Sequence, residues 1–161
     1  MKVILLGNAG AGKSTLARRL LQRQPAARLS LDEVAFGVGA ERRPLDESIA
    51  EVHAFIEKNE SWIIEGCYAD ILEPFLGDCE ELYFLNPGIE TCVAHCMARP
   101  WEPEKFISAK EQNDNLQNLI EWVSTYESRD DEYGLKRHRA LFDSFAGKKR
   151  EFNDPSEYNT V

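Results

Sequence analysis

Gly7-Asn8-Ala9-Gly10-Ala11-Gly12-Lys13-Ser14-Thr15 decides how this chain is read. The stretch meets the pattern G-x-x-x-x-G-K-[ST] at every fixed position, with Thr15 directly after it. Lys2-Val3-Ile4-Leu5-Leu6 runs into it as a short apolar, β-branched segment, which reads as a buried strand. Leu16, Ala17, Leu20 and Leu21 follow at helical spacing. Strand, glycine loop and helix in that order are the context a phosphate-binding loop requires. Gly7, Gly10 and Gly12 allow backbone turns that aim several N–H groups at one anion. The helix N-terminus adds positive potential there. Lys13 supplies a cation for the β- and γ-phosphates, and Ser14 a hydroxyl for Mg²⁺. The stretch from Gly7 to Thr15 is therefore expected to bind a nucleoside triphosphate with Mg²⁺, and its spelling does not separate ATP from GTP. A glycine-rich turn that binds nothing would not need the flanking strand and helix.

Working outward, strands alternate with helices. Ala27–Leu31 reads as a second strand ending at Asp32-Glu33, and Val34–Pro44 as a loop. A helix is expected from about Leu45 to Asn59, with Ser48 and Glu51 able to form a capping box. Trp62-Ile63-Ile64 is a third strand ending at Glu65-Gly66, and a short helix follows from Tyr68 to Phe75. Leu82–Leu85 is a fourth strand, after which Asn86 looks like an N-cap with Pro87 at the first helical position. From Arg99 to about Gln112 the composition turns polar, and the span reads as a lid. Helices follow at about 111–126 and 133–146, then a short edge strand, Lys149–Phe152. Asp154–Val161 reads as a loose tail. Such alternation implies a parallel sheet covered on both faces, with ligands at the carboxyl ends of its strands. The expected organisation is one domain over residues 1–153, with the lid at about 99–112 and the tail at 154–161.

Composition narrows the function. The chain has 161 residues, which suits one domain with a full core, and a formal net charge of −9, which disfavours a nucleic-acid-coating surface. No apolar run is long enough to span a membrane. Met1-Lys2 leads straight into the first strand, so no cleavable signal is expected. The cysteines, Cys67, Cys79, Cys92 and Cys96, then read as reduced thiols in a cytoplasm. Cys92 and Cys96 fall on a helical stripe with Ile89, Val93 and Met97, so core packing explains them better than a metal site with His95. Oligomeric state is not legible.

Beyond the loop, Leu31-Asp32-Glu33, Trp62-Ile63-Ile64-Glu65-Gly66-Cys67-Tyr68, Leu82–Pro87 leading to Arg99, and Trp122–Tyr126 followed by Arg129 give the chain a further likeness. Over nearly its whole length it resembles the small nucleoside/nucleotide-kinase branch of the P-loop proteins, that of adenylate kinase and shikimate kinase. Within that branch it is similar to small bacterial proteins labelled AAA-type ATPase or DNA topology modulation protein. The resemblance implies a three-layer α/β/α P-loop NTPase fold with sheet order 2-3-1-4-5, so that Glu65 faces the phosphate loop. It implies phosphoryl transfer from ATP to a small acceptor: Lys13 on the phosphates, Ser14 and Glu65 on Mg²⁺, Asp32 on the acceptor, and Arg99 and Arg129 covering developing charge. Arg42 and Arg43 are further arginines near the acceptor region. The chain departs from the resembling proteins in carrying Glu65 and Asn86 where they usually carry Asp. A P-loop ATPase with water as its only acceptor, in a regulatory or nucleic-acid-associated role, is the alternative.

Overall fold

The computed structural model describes residues 1–37, 41–99 and 109–161, with 109–114 by backbone alone. In chain order the elements are β1 (Lys2–Gly7), α1 (Lys13–Arg23), β2 (Ala27–Ser30), α2 (Asp32–Ala35), α3 (Leu45–Lys58), β3 (Trp62–Gly66), α4 (Ala69–Leu72), β4 (Glu81–Leu85), α5 (Ile89–Met97), α6 (Ala109–Ser124), α7 (Leu135–Ser144) and β5 (Lys148–Phe152). The five strands form one parallel sheet in the order β2-β3-β1-β4-β5, as expected.

Both faces are covered, and the pleat explains how. Ile4, Leu6, Ile64, Leu82 and Phe84 point to one side and pack with residues of α2, α3, α4 and α7. Their neighbours Val3, Leu5, Ile63, Tyr83 and Leu85 point to the other and pack with α1, α5 and α6. Strands apolar on both faces are what a doubly covered parallel sheet demands. The edge strand β5 carries Lys148, Lys149, Arg150 and Glu151, charges that discourage pairing with another chain.

Several expectations are corrected. Asp32 and Glu33 do not end a strand; they open the short α2, and the connection reaching Pro44 includes an antiparallel bridge between Phe36 and Arg42. Ser48 forms no capping box: its hydroxyl is buried and donates to the carbonyl of Val34 at 2.8 Å, pinning α3 to α2. Asn86 is not the cap of α5, which starts after Gly88 at φ 102°. Asn86 instead joins β4 to β5, its N–H donating to Phe152 O at 2.7 Å and its amide to Glu151. The expected lid lies outside the described residues at 100–108, and its end, from Ala109 to Gln112, is helical and opens α6. The tail is not loose. Pro155–Thr160 forms a 3₁₀ turn, and Tyr158 is buried edge-on against Phe152.

Candidate active site at the phosphate loop

The loop between β1 and α1 is held from outside at successive residues. Asn8 is buried and donates its amide to Val123 O in α6 at 3.2 Å. His95 in α5 meets Gly10 O through Nδ1 at 2.7 Å. A carbonyl only accepts, so Nδ1 carries the proton. The Tyr158 hydroxyl donates to Ala11 O at 2.6 Å. Gly10 and Gly12 have φ of 79° and 99°, the left-handed region glycine enters without strain. A Cβ at Gly10 would also lie 2.3 Å from Cys92 O. Cys92 and Cys96 are thus buried where α5 packs against the loop. Lys13 Nζ donates to Gly7 O at 2.9 Å and to Asn8 O at 2.7 Å, which folds its ammonium over the loop. Ala9 is half-buried beside it, and Ser14 and Thr15 face solvent at the start of α1.

Glu65 stands beside this loop because β3 is the neighbour of β1, with Leu5 opposite Glu65 in register. The residue is only 5% exposed. Oε1 accepts from Ser14 Oγ at 3.3 Å and from Arg28 on β2 at 3.0 Å. Oε2 is buried and has no hydrogen-bond partner among the described residues. An orphaned carboxylate oxygen is costly unless something satisfies it. Its position next to the Ser14 hydroxyl fits a hydrated Mg²⁺, which suits a few oxygen ligands and retained waters. Ser14 and Glu65 are the residues that would hold that ion.

Asp32 lies across β3 from the loop side, two residues beyond Ser30, which pairs with Glu65. It is exposed, and its Oδ1 accepts from the Tyr68 hydroxyl at 2.5 Å. Burial, then the Asp32 charge, push the Tyr68 phenol up, so it stays a donor. The intervening Cys67 is buried and its thiol is raised to about 12 by desolvation, with smaller opposing influences from Lys13 and Asp32. This is a packing residue rather than a nucleophile. The turn is held from beneath. Tyr126 donates to His138 Nδ1 at 2.7 Å, and His138 Nε2 donates to Cys67 O at 2.8 Å.

The arginines divide. Arg129 is bound through Nε and NH2 to Asp131 and lies over the Trp122 ring at 4.6 Å. Arg42 binds both oxygens of Asp70, at 3.2 and 3.1 Å, donates to the Tyr133 hydroxyl, and lies over the Tyr68 ring. Arg43 pairs with Glu47 and Glu51 on α3. Arg99, just past α5, is exposed. Arg28 and Tyr158 were not singled out from sequence, although Arg28 shows there as a charge among the apolar residues of its strand. His95 entered only as a rejected metal ligand and Tyr68 only as the end of the third-strand segment.

Beside the loop a cleft of about 330 Å³ is lined by Gly12, Thr15, Arg18, His95, Pro155 and Tyr158. A larger hollow of about 420 Å³ adjoins it around Arg23 and Val161, but no loop residue lines that one.

Residues 3–69 match the family model of an AAA domain. The match begins in β1, contains the whole loop together with Asp32, Glu65 and Tyr68, and ends at the start of α4. With the sheet order it makes this a P-loop NTPase α/β fold and supports a nucleotide-binding domain of kinase-like or ATPase-like kind. No curated protein matches the chain. Among the described residues no helix is long and apolar enough to cross a membrane.

Proposed function

We propose that the protein is a phosphotransferase that moves the γ-phosphoryl group of Mg-ATP to a small acceptor, a nucleoside, nucleotide or other compact hydroxyl or phosphate compound. The observation that carries this reading is the pairing of two carboxylates at the sheet's carboxyl edge. Glu65 has a buried oxygen with no partner among the described residues, in a carboxylate that meets Ser14, and Asp32, held by Tyr68 through Oδ1, is exposed. An ATPase needs the first; an acceptor gives the second a task.

In this reading the loop N–H groups and Lys13 take the β- and γ-phosphates, Lys13 exchanging its two carbonyl partners for phosphate oxygens. The nucleoside lies in the cleft between α1 and the C-terminal turn. A bound Mg²⁺ would supply charge neutralisation for the phosphates. Ser14 and Glu65 would provide its protein oxygens, and the contact from Arg28 orients the Glu65 carboxylate. The acceptor oxygen attacks the γ-phosphorus, its proton passes to Asp32, and the bond to the β,γ-bridging oxygen breaks to release ADP. Arg99, exposed just past α5, covers charge on transfer in this reading. Arg129 is committed to Asp131, and serves the acceptor side as part of its wall. We take the domain to span residues 1–153, with the docked C-terminal turn as part of its nucleotide side.

The test is ATP consumption with and without a panel of nucleosides, nucleoside monophosphates, polyols and 5′-hydroxyl oligonucleotides. Slow turnover alone and fast turnover with one acceptor class supports transfer. Equal turnover with and without every acceptor makes the protein an ATPase.

A further inference from the structure

The face around Asp32 is built from rings and from cations that are already neutralised. Arg42 is sandwiched over Tyr68 and Tyr133, at 5.1 and 5.7 Å, while both of its NH2 contacts go to Asp70. Arg129 lies over Trp122 and Tyr133 and is paired to Asp131, whose carboxyl it holds below its ordinary range. Each guanidinium thus spends its charge inside the protein. Asp32 is the remaining charge of the cluster. Tyr68 engages its Oδ1, and among the described residues Oδ2 makes no protein hydrogen bond. Next to it the Phe36 ring, packed edge-on against Tyr68, is 40% exposed, which leaves part of its surface open to a ligand ring.

Resting on the phosphotransfer reading, we infer that the acceptor is an uncharged, hydroxyl-bearing ring compound of nucleoside type, and that its phosphorylated counterpart is rejected. A hydroxyl donates to the free oxygen of Asp32, and a ring face covers Phe36. A phosphomonoester would bring two negative charges toward Asp32, where Arg42 and Arg129, the described guanidiniums of this face, are already paired to Asp70 and Asp131, and like-charge juxtaposition is how a site refuses a ligand. Asp70 is then a specificity-determining residue. By neutralising Arg42 it keeps the acceptor face from selecting anions.

Binding of matched pairs tests this by calorimetry, on the full chain saturated with Mg²⁺ and a non-hydrolysable ATP analogue. The pairs are adenosine, guanosine, cytidine and thymidine, each against its 5′-monophosphate. At least one nucleoside should bind tenfold or more tighter than its monophosphate. Asp70→Asn, which leaves the Arg42 charge unpaired, should narrow that ratio at least fivefold by strengthening the monophosphate. Tighter binding of the monophosphates, no binding of either member of any pair, or an unchanged ratio in a folded Asp70→Asn protein overturns the inference. The wild-type comparison decides even if that variant does not fold. If the ATP analogue itself does not bind, the phosphotransfer reading fails and takes this inference with it. If it binds and monophosphates win, only the acceptor class is wrong.

Discussion

The hydroxyl of Tyr158 donates to the carbonyl of Ala11 at 2.6 Å, so the last turn of the chain is fastened to the phosphate loop at its beginning. A trans peptide points its C=O and N–H in opposite directions. Holding the Ala11 carbonyl outward therefore aims the N–H of Gly12 to the other side of the loop. The ring of Tyr158 lies so close to Gly12 that a Cβ there would sit 2.8 Å from it.

Tyr158→Phe should weaken nucleotide affinity. The ring and its packing on Phe152 remain, but the carbonyl of the buried Ala11 loses its donor. A single neutral hydrogen bond corresponds to roughly a twofold to tenfold loss. Titrating ATP, ADP and adenosine in turn checks the cause: the loss should appear with the phosphorylated ligands and not with adenosine. Uniform weakening of all three would make Tyr158 a general packing residue.

Lys13→Ala should abolish most Mg-ATP binding and turnover while the fold persists. Lys13 is half-exposed, and among the described residues its ammonium bonds to loop carbonyls alone. Circular dichroism and a thermal melt near wild type, together with lost ATP affinity, are the expected pair of results.

Glu65→Gln should raise the Mg²⁺ concentration needed for half-maximal turnover more than it changes nucleotide affinity in EDTA. The amide cannot offer two anionic oxygens, and it loses the charge that Arg28 neutralises. Glu65→Asp should keep activity, because a carboxylate remains beside Ser14. A Mg²⁺ titration of each variant is the measurement, and an unchanged curve for Gln would leave Glu65 a purely structural partner of Arg28.

Asp32→Asn should keep ATP binding within a few-fold and lose transfer by roughly two to four orders of magnitude, the usual worth of a positioned base. Tyr68 can still donate to the amide oxygen, so the local fold is preserved. If hydrolysis without acceptor falls in parallel and excess Mg²⁺ restores it, Asp32 serves the ion instead.

His138 predicts an acid-sensitive stability. Burial pushes its pKa down to about 4 from the ordinary 6.5, so it is neutral when folded and protonates once unfolded. The unfolded state therefore binds more protons between these values. Stability should fall as pH falls from about 6.5 toward 4, by at most about 1.4 kcal/mol per pH unit. Denaturant melts across that range should show a shallower slope for His138→Gln than for wild type.

The fold was readable because its signals are local. Apolar runs at β1, β3 and β4, helical stripes between them and the spelling of the loop each depend on neighbours in sequence. The errors cluster where a distant partner overrides a local preference. Ser48 and Glu51 have capping spacing, but the Val34 carbonyl takes the Ser48 hydroxyl. Asn86-Pro87 reads as a helix start, but the β5 backbone claims Asn86. The last residues look too polar to dock, yet one aromatic, Tyr158, suffices to seat them on β5 and the loop.

By itself the sequence determined that this chain builds a phosphate loop between a buried strand and a helix, within an alternating parallel-sheet architecture. Glycine freedom, one lysine and hydrophobic period are enough for that, since each acts over a few residues. Only the tertiary structure decided what surrounds the loop. Arg28 reaches Glu65 because β2 and β3 pair, Tyr68 reaches Asp32 from the next strand's turn, and Asp70 and Asp131 neutralise the arginines beside them. Charge compensation and hydrogen bonding depend on separation in space. Sheet order and helix packing fix that separation between residues tens of positions apart, and no local pattern encodes it.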